Sequence, residues 1–349
     1  MTTRKPDNAG IRTVARPSCP VCGAVGRPLY PEVRDRLFQA PGLWAILACR
    51  APQCGTEWLD PVPAAEDIGV LYSTYYTHEI PKVVAYSRVV RFLFDNRTTM
   101  AANLEPGSSS FCGRAWRQLA TIALPGGARE AEARSCYLGI ASPGARLLDI
   151  GCGSGKSLER MRRLGWEVMG TEVDPAAAAT ARSRGLEVMV GDVLDLELPL
   201  AYFDAITVEH VLEHALDPMA LVARLRLLIR PGGRLVVMTP NVKSLGHRLF
   251  GADWFWLDPP RHITLFSQRS IEQLLRDAGV YTVDVKTSPH GARDVWVYSR
   301  EIRKTGRAVI PTAPGIGHHL RGAPFQLAER LKVRRDADAG EELVAIGTV

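Results

Sequence analysis

The chain has 349 residues, of which 46% are apolar and 23% charged, and its formal net charge is +6. This length and composition allow two globular domains of ordinary size with buried cores. No apolar run approaches the roughly 18 residues of a membrane-spanning helix, and so small a charge does not by itself indicate nucleic-acid binding.

The first 18 residues contain four basic side chains and no apolar centre: Arg4, Lys5, Arg12 and Arg16. We therefore expect a disordered basic tail over residues 1–18 and no secretory signal. The chain has seven cysteines, and four of them stand in pairs typical of a metal site. Because thiols in such a pattern favour a reducing compartment, we expect a cytoplasmic protein.

Two cysteine pairs follow this tail. Cys19 and Cys22 are separated by two residues, Cys49 and Cys54 by four, and glycine follows each pair. Four thiolates complete a closed tetrahedral zinc site, which has no open coordination position for catalysis. We therefore expect a zinc ribbon with a structural role over residues 19–62. Four unrelated buried thiols are the alternative.

Residues 63–135 begin with a proline-rich linker and contain no motif that indicates chemistry. We expect a helical linker or cover there, packed over the domain that follows. The alternative is that these helices only pack against the rest of the protein and have no role at a site.

The centre of the chain is a short apolar stretch followed by three alternating glycines: Gly151, Gly153 and Gly155. Residues 146–150 predict a buried strand, and residues 156–164 predict a helix. Strand, glycine turn and helix form the nucleotide-binding start of a doubly wound α/β domain. The glycine spacing differs from the dinucleotide fingerprint Gly-x-Gly-x-x-Gly, and a phosphate-binding loop would need glycine where Ile150 stands.

The sequence LLDIGCGSG at residues 147–155 resembles motif I of class I S-adenosylmethionine (SAM)-dependent methyltransferases. The second strand ends in Glu172, 17 residues after Gly155, where a carboxylate can bind both ribose hydroxyl groups. An acidic residue after strand three, here Asp192, is similar to the family's contact with the adenine amine. We therefore expect a SAM site built from Asp149, Gly151, Cys152, Gly153, Gly155, Glu172, Val173, Asp192, Val193 and Glu209.

The strand-helix alternation continues to the end of the chain. It predicts a doubly wound, seven-stranded, mostly parallel sheet of the Rossmann-like methyltransferase type over residues 136–349. The stretch 342–347 predicts an antiparallel seventh strand between strands five and six. Residues 293–335 contain ten Lys or Arg against three Asp or Glu, so we expect a basic insertion at about 290–338.

Residues 209–214, Glu-His-Val-Leu-Glu-His, resemble the segment after strand four in small-molecule methyltransferases of the ubiquinone-biosynthesis type. Nucleic-acid amino-methyltransferases typically carry Asn/Asp-Pro-Pro-aromatic there, and this chain does not. The ribbon and the Pro-Pro-Arg-His sequence also resemble bacterial methyltransferases with an N-terminal zinc ribbon. Many of those act in sugar, polysaccharide or secondary-metabolite pathways.

Residues 254–267, called the acceptor loop below, follow strand five and combine aromatic with charged side chains. Because this loop leaves the carboxyl edge of the sheet, where open α/β folds bind ligands, we expect Arg261 and His262 to contact a methyl acceptor. His210 lies across the pocket in this interpretation. A hydroxyl acceptor needs a base, and His210, His214 and His262 are the candidates. Alternatively, Asp258 and Arg261 pair and only hold the loop.

These patterns predict a SAM-dependent methyltransferase that acts on a small-molecule acceptor and holds structural zinc. An RNA methyltransferase that uses the ribbon and the basic segments is the alternative, although nucleic acid is not the expected partner. A non-catalytic SAM-fold scaffold or a nicotinamide-binding protein is the third possibility. No motif specifies the acceptor, the acceptor atom or the oligomeric state.

Overall fold

The computed structural model describes residues 8, 10–72, 132, 133, 135–311 and 315–349. Two main sheets lie within these residues. The larger has seven strands, and the smaller has four. A third sheet has two short strands, which pair Thr13–Val14 with Val62–Pro63. No helix of the described chain is long and apolar enough to span a membrane.

The large sheet confirms the predicted doubly wound, mostly parallel architecture. Its strands stand in the order β12-β13-β10-β9-β6-β7-β8, and β13 runs antiparallel between β10 and β12. The strands are β6 (Arg146–Ile150), β7 (Glu167–Glu172), β8 (Glu187–Val190), β9 (Phe203–Glu209), β10 (Ile229–Pro240), β12 (Thr282–Ser288) and β13 (Glu342–Thr348).

Helices cover both faces of this sheet because successive strand residues point to opposite sides. Leu147 belongs to the same buried cluster as Met161, while Leu148 belongs to the cluster of Leu225 and Leu274. The helices are α1 (Ile68–Leu71), α2 (Lys156–Arg163), α3 (Pro175–Ser183), α4 (Pro218–Leu228), α5 (Leu245–Phe250), α6 (Gln268–Asp277), α7 (Ala292–Thr305) and α8 (Ile316–Lys332).

Two of these helices begin at an Asp-Pro pair. The Asp174 side chain accepts a hydrogen bond from the backbone of α3, and Asp217 does the same for α4. Proline fits the first helical position because it has no amide hydrogen to satisfy there. These two helix N-termini determine where the chain leaves the carboxyl edge of the sheet.

The four-stranded sheet belongs to the N-terminal module, which we define as residues 10–72. Its strands are β2 (Gly26–Val33), β3 (Trp44–Cys49), β4 (Glu57–Leu59) and β11 (Thr264–Leu265). The fourth strand, β11, comes from the acceptor loop and pairs antiparallel with β4. The predicted ribbon and the methyltransferase domain therefore share a sheet.

The beginning of the described chain corrects the prediction of a disordered tail. Within residues 10–18, strand β1 (Thr13–Val14) pairs antiparallel with β5 (Val62–Pro63). The Arg12 guanidinium lies 2.8 Å from the Asp67 carboxylate, so contacts distant in sequence hold this segment. Residues 1–7 and residue 9 lie outside the described chain.

Only the ends of the predicted helical cover are described. Helix α1 lies near its start, and residues 132, 133 and 135 lie at its end. The rest of this prediction falls outside the described residues. The predicted basic insertion contains α7 and α8, with residues 312–314 outside the description.

Arg261 forms the buried ionic link between the acceptor loop and the N-terminal module. Its side chain is 0% exposed, and its guanidinium donates to Asp258 at 3.0 Å and to Asp35 at 2.8 Å. Asp258 belongs to the loop, whereas Asp35 follows β2. Because a buried charge requires close partners, the two segments hold each other in place.

Replacing Arg261 should therefore be strongly destabilising. Arg261→Met leaves two buried carboxylates without their cation, so we expect the free energy of unfolding to fall by about 3–5 kcal/mol. Urea denaturation followed by tryptophan fluorescence measures this change.

Arg276→Met is the control for this substitution. Arg276 pairs with Glu272 at 2.8 Å on the surface, and loss of an exposed pair costs under about 1 kcal/mol. Equal losses in the two variants would contradict the assigned role of Arg261.

Candidate active site

Three glycines form the turn after β6, with φ of +65° at Gly151, +53° at Gly153 and +81° at Gly155. A Cβ atom at Gly151 would lie 2.5 Å from Val211, and one at Gly155 would lie 2.3 Å from Leu186. A Cβ atom at Gly153 would lie more than 4 Å from the described residues other than its chain neighbours. Among the described residues, Gly153 therefore faces open space at the carboxyl edge of the sheet, where doubly wound folds bind ligands.

Glu172 lies at the end of β7, and two backbone amides hold its carboxylate. The Gly153 amide donates to Oε2 at 2.8 Å, and the Asp174 amide donates to Oε1 at 2.9 Å. Since a carboxylate has about four acceptor sites, each oxygen keeps a lone pair for a ligand hydroxyl. This position is compatible with the predicted contact to a ribose.

Asp149, at the end of β6, is buried beneath the glycine turn. It accepts a hydrogen bond from the Thr207 hydroxyl at 2.6 Å. Burial raises the pKa of its carboxyl to about 7. The contact links β6 to β9, and the proposed approach of Asp149 to a cofactor stays a prediction.

The other predicted cofactor residues differ in exposure. Asp192 is exposed, as is Val173 at 68%. Cys152 and Val193 are buried, so a ligand would meet their backbone more readily than their side chains. Glu209 is half-buried at the end of β9.

His210 follows β9 and lies between two carboxylates. Its Nδ1 is 3.2 Å from Glu213 and its Nε2 is 3.2 Å from Glu342, while its ring stacks on Trp256. Burial lowers the pKa of His210, but the carboxylates outweigh burial and hold this pKa well above its ordinary value. Because both carboxylates favour the protonated ring, this arrangement supports His214 and His262 over His210 as the candidate base, and the role of His210 stays a prediction.

His214 and His262 lie together with Glu213, and one polar atom of each is within 4.8 Å of the others. Nδ1 of His262 is 2.7 Å from the Trp256 carbonyl oxygen, and Nδ1 of His214 is 3.0 Å from the Arg261 carbonyl oxygen. Because a carbonyl oxygen only accepts, each Nδ1 carries a proton, and in the neutral form of either ring the lone pair is on Nε2. Burial and His262 lower the pKa of His214 to about 4.

Arg261 has a different position from the predicted one. Its guanidinium is buried between Asp258 and Asp35, so it does not face an acceptor. Only its carbonyl oxygen contacts His214. Of the two predicted alternatives, the pairing that holds the loop is the one the geometry supports.

Three side chains that hold this site have no motif in the sequence. Glu342 contacts His210 across 132 positions, and Asp35 contacts Arg261 across 226 positions. The Tyr72 hydroxyl lies 3.0 Å from Nδ1 of His214. Only the fold brings these groups together, so local spacing could not have found them.

The four cysteines of the N-terminal module meet at one point, with all sulfurs within 4.8 Å of one another. Sγ of Cys19 is 3.7 Å from that of Cys54, and Sγ of Cys22 is 3.4 Å from that of Cys49. Zinc–sulfur bonds of about 2.3 Å in a tetrahedron separate the sulfurs by about 3.8 Å. The thiol set therefore fits a zinc ion.

A family model described as a methyltransferase domain matches residues 115–285. The ubiquinone biosynthesis O-methyltransferase of Cereibacter sphaeroides is 36% identical over 155 residues, which are 41% of this chain and 63% of that protein. The protein of the same name from Xanthomonas campestris pv. campestris is 41% identical over 110 residues, 29% of this chain and 46% of that protein. The chain thus spans less than two thirds of the length of these relatives.

Among solved structures, phosphoethanolamine N-methyltransferase 2 of Haemonchus contortus, in complex with SAM, aligns with a TM-score of 0.46. The identity is 16%, and the alignment covers 88% of this chain and 64% of that chain.

A side chain at Gly153 should block the cofactor without disturbing protein packing. In Gly153→Val the added atoms enter the open space above the turn, so we expect SAM binding to be lost in a folded protein. The positive φ adds strain of about 1–2 kcal/mol. Isothermal titration calorimetry with SAM measures the binding.

Gly232→Val is the matched control, since Gly232 also has a positive φ of +79° and no neighbour within 4 Å. It carries the same backbone strain outside the predicted cofactor site and should bind SAM normally. Equal SAM affinity in the two folded variants would refute the cofactor assignment.

Proposed function

We propose that this chain transfers a methyl group from SAM to a hydroxyl group of a small molecule. The match of residues 115–285 to a methyltransferase domain and the likeness to O-methyltransferases support this proposal. When bound, SAM supplies a methyl group on a sulfonium centre. In this proposal Glu172 binds the ribose, Asp192 binds the adenine amine, and the backbone at Gly153 leaves space for the ligand.

The observation that carries the proposal is the orientation of two histidines at the carboxyl edge of the sheet. His262 and His214 each direct Nδ1 at a carbonyl oxygen, so the lone pair of each neutral ring is on Nε2. Such a nitrogen can take the proton of a hydroxyl acceptor as its oxygen attacks. His262 is our first choice for this role, and His214 is the second.

His210 has the complementary role in this proposal. With its proton held by Glu213 and Glu342, it forms an ionic cluster with these two carboxylates. Glu213 of this cluster lies within 4.8 Å of His214 and His262, so His210 orients the carboxylate next to the candidate bases. The Trp256 ring, stacked on His210, fixes the imidazole plane and excludes water from that side.

The acceptor class follows from two considerations. The relatives are named as O-methyltransferases of ubiquinone biosynthesis, which supports oxygen as the acceptor atom. A histidine nitrogen that can accept a proton also suits a hydroxyl group. We therefore propose a hydroxylated sugar, lipid or secondary metabolite as substrate. The RNA alternative has no support from these relatives.

The four cysteines would hold one zinc ion in a structural role. Four thiolates would fill its coordination sphere, so the reaction needs no step at the metal. Zinc binding would stabilise the sheet that β11 completes, because metal binding and folding are coupled in such modules.

His262→Ala tests the role of the base. Methyl transfer from tritiated SAM to catechol, as a phenolic probe, and to UDP-glucose, as a sugar probe, would be measured. On any probe that the wild type methylates, we expect kcat to fall by about 10²- to 10⁴-fold. SAM affinity should change little, and the melting temperature should fall no further than in the control variant below.

His247→Ala is the matched control, because His247 is also buried, also directs Nδ1 at a carbonyl oxygen, at 2.7 Å, and also stacks on a tryptophan. It should lose stability without a specific loss of turnover. A His262→Ala protein that is less stable but equally active would remove His262 from the site.

A further inference from the structure

The N-terminal module contacts the acceptor loop through the backbone as well as through Arg261. The Leu59 amide donates to the Ile263 carbonyl oxygen at 2.9 Å. The Ser267 hydroxyl donates to the Cys54 carbonyl oxygen at 2.6 Å, beside a predicted metal ligand. The residues on both sides of β11 are therefore attached to the module.

Asp35 gives the module a rigid, fully buried carboxylate. It accepts hydrogen bonds from the amides of Leu37 at 2.8 Å, Phe38 at 2.9 Å and Ala40 at 2.7 Å. Three backbone donors fix the carboxylate in one orientation, and it receives the Arg261 guanidinium from there at 2.8 Å. The position of Arg261 is thus set by the module.

Arg261 in turn holds the turn that carries His262. Its guanidinium bonds the Asp258 carboxylate. The Asp258 carbonyl oxygen accepts from the His262 amide at 3.1 Å. A chain of contacts therefore runs from Asp35 through Arg261 and Asp258 to His262.

Tyr72 provides a second connection. It follows α1 at the end of the module, and its hydroxyl oxygen lies 3.0 Å from Nδ1 of His214. The Arg261 carbonyl oxygen lies at the same distance from that nitrogen. The carbonyl oxygen can only accept, so it requires a proton on Nδ1, and the Tyr72 hydroxyl oxygen lies within hydrogen-bond distance of the same nitrogen. Together the two oxygens fix the orientation of the His214 ring.

We propose that Asp35 and Tyr72 are positioning residues for the acceptor half of the site. Asp35 acts through Arg261 on the turn that carries His262, and Tyr72 holds the orientation of the His214 ring. The N-terminal module is then a component of the acceptor site and not a separate attachment. This inference rests on the proposed function, which identifies that half of the site as the place where the acceptor binds. The contacts themselves can be tested without measuring methyl transfer.

A purely structural role of Tyr72 and Asp35 predicts different effects on the histidines. If Tyr72 only filled space, phenylalanine would replace it with no effect on His214, because the two side chains differ by one hydroxyl. If Asp35 only balanced the charge of Arg261, its loss would lower stability without a specific effect on His262. The histidine rings therefore report the difference directly.

The experiment compares Tyr72→Phe and Asp35→Asn with the wild type in the full-length, zinc-loaded protein. Histidine ring nitrogens are observed by ¹⁵N-edited NMR, and SAM affinity is measured by calorimetry. In Tyr72→Phe we expect the His214 ring-nitrogen signals to shift, because Nδ1 loses one of the two oxygens that hold the ring. In Asp35→Asn we expect the His262 signals to shift. SAM affinity should be unchanged in both.

Tyr30→Phe is the matched control for Tyr72→Phe. The Tyr30 hydroxyl lies 3.0 Å from Nε2 of His247, so this variant removes a contact of the same kind and length from the same module. It should move the His247 signals and leave His214 unchanged.

Unchanged His214 signals in Tyr72→Phe would overturn the positioning role of Tyr72, even if Asp35→Asn failed to fold. A loss of SAM affinity in a folded Tyr72→Phe protein would also overturn the proposal, because the effect would not be confined to the acceptor half. Absence of methyl transfer by the wild type would refute the proposed function. The histidine signals and the SAM affinity do not depend on turnover, so they distinguish that failure from a failure of the positioning roles.

Discussion

The buried charge of Arg261 is the constraint on which the arrangement of the site depends. A guanidinium that is 0% exposed must have close anionic partners, since removal of charge from water is costly. Its two partners come from different parts of the chain, Asp258 in the acceptor loop and Asp35 in the N-terminal module. The loop can therefore take its observed position only when the module is folded beside it.

This constraint also places the oxygens that two neighbouring histidines contact. Carbonyl oxygens of the acceptor loop face Nδ1 of His214 and His262, so each Nδ1 carries a proton. Carboxylates outside the loop face both nitrogens of His210 and favour its protonated form. The same side chain thus meets two kinds of oxygen, and His214 and His262 depend on the loop for theirs.

The sequence predicted the parts of the fold that depend on local patterns. The seven-stranded sheet follows from apolar strands, glycine turns and Asp-Pro helix starts, all of which act over a few residues. Strand β11 escaped prediction because it consists only of Thr264 and Leu265 and finds its partner near residue 58. Residues 10–18 are held in place by partners far away in the sequence, and Arg261 is buried by such partners too. These long-range contacts form only in the assembled fold, so local sequence patterns do not predict them.

The most direct test measures hydrogen exchange in the full-length protein before and after zinc is removed with a chelator. The account predicts faster amide exchange in residues 254–267 of the metal-free protein, because β11 loses the sheet that it completes. Residues 146–155 should keep their protection, and SAM affinity should persist. Unchanged protection of residues 254–267 in a protein whose ribbon has unfolded would contradict the claim that module and loop form one unit.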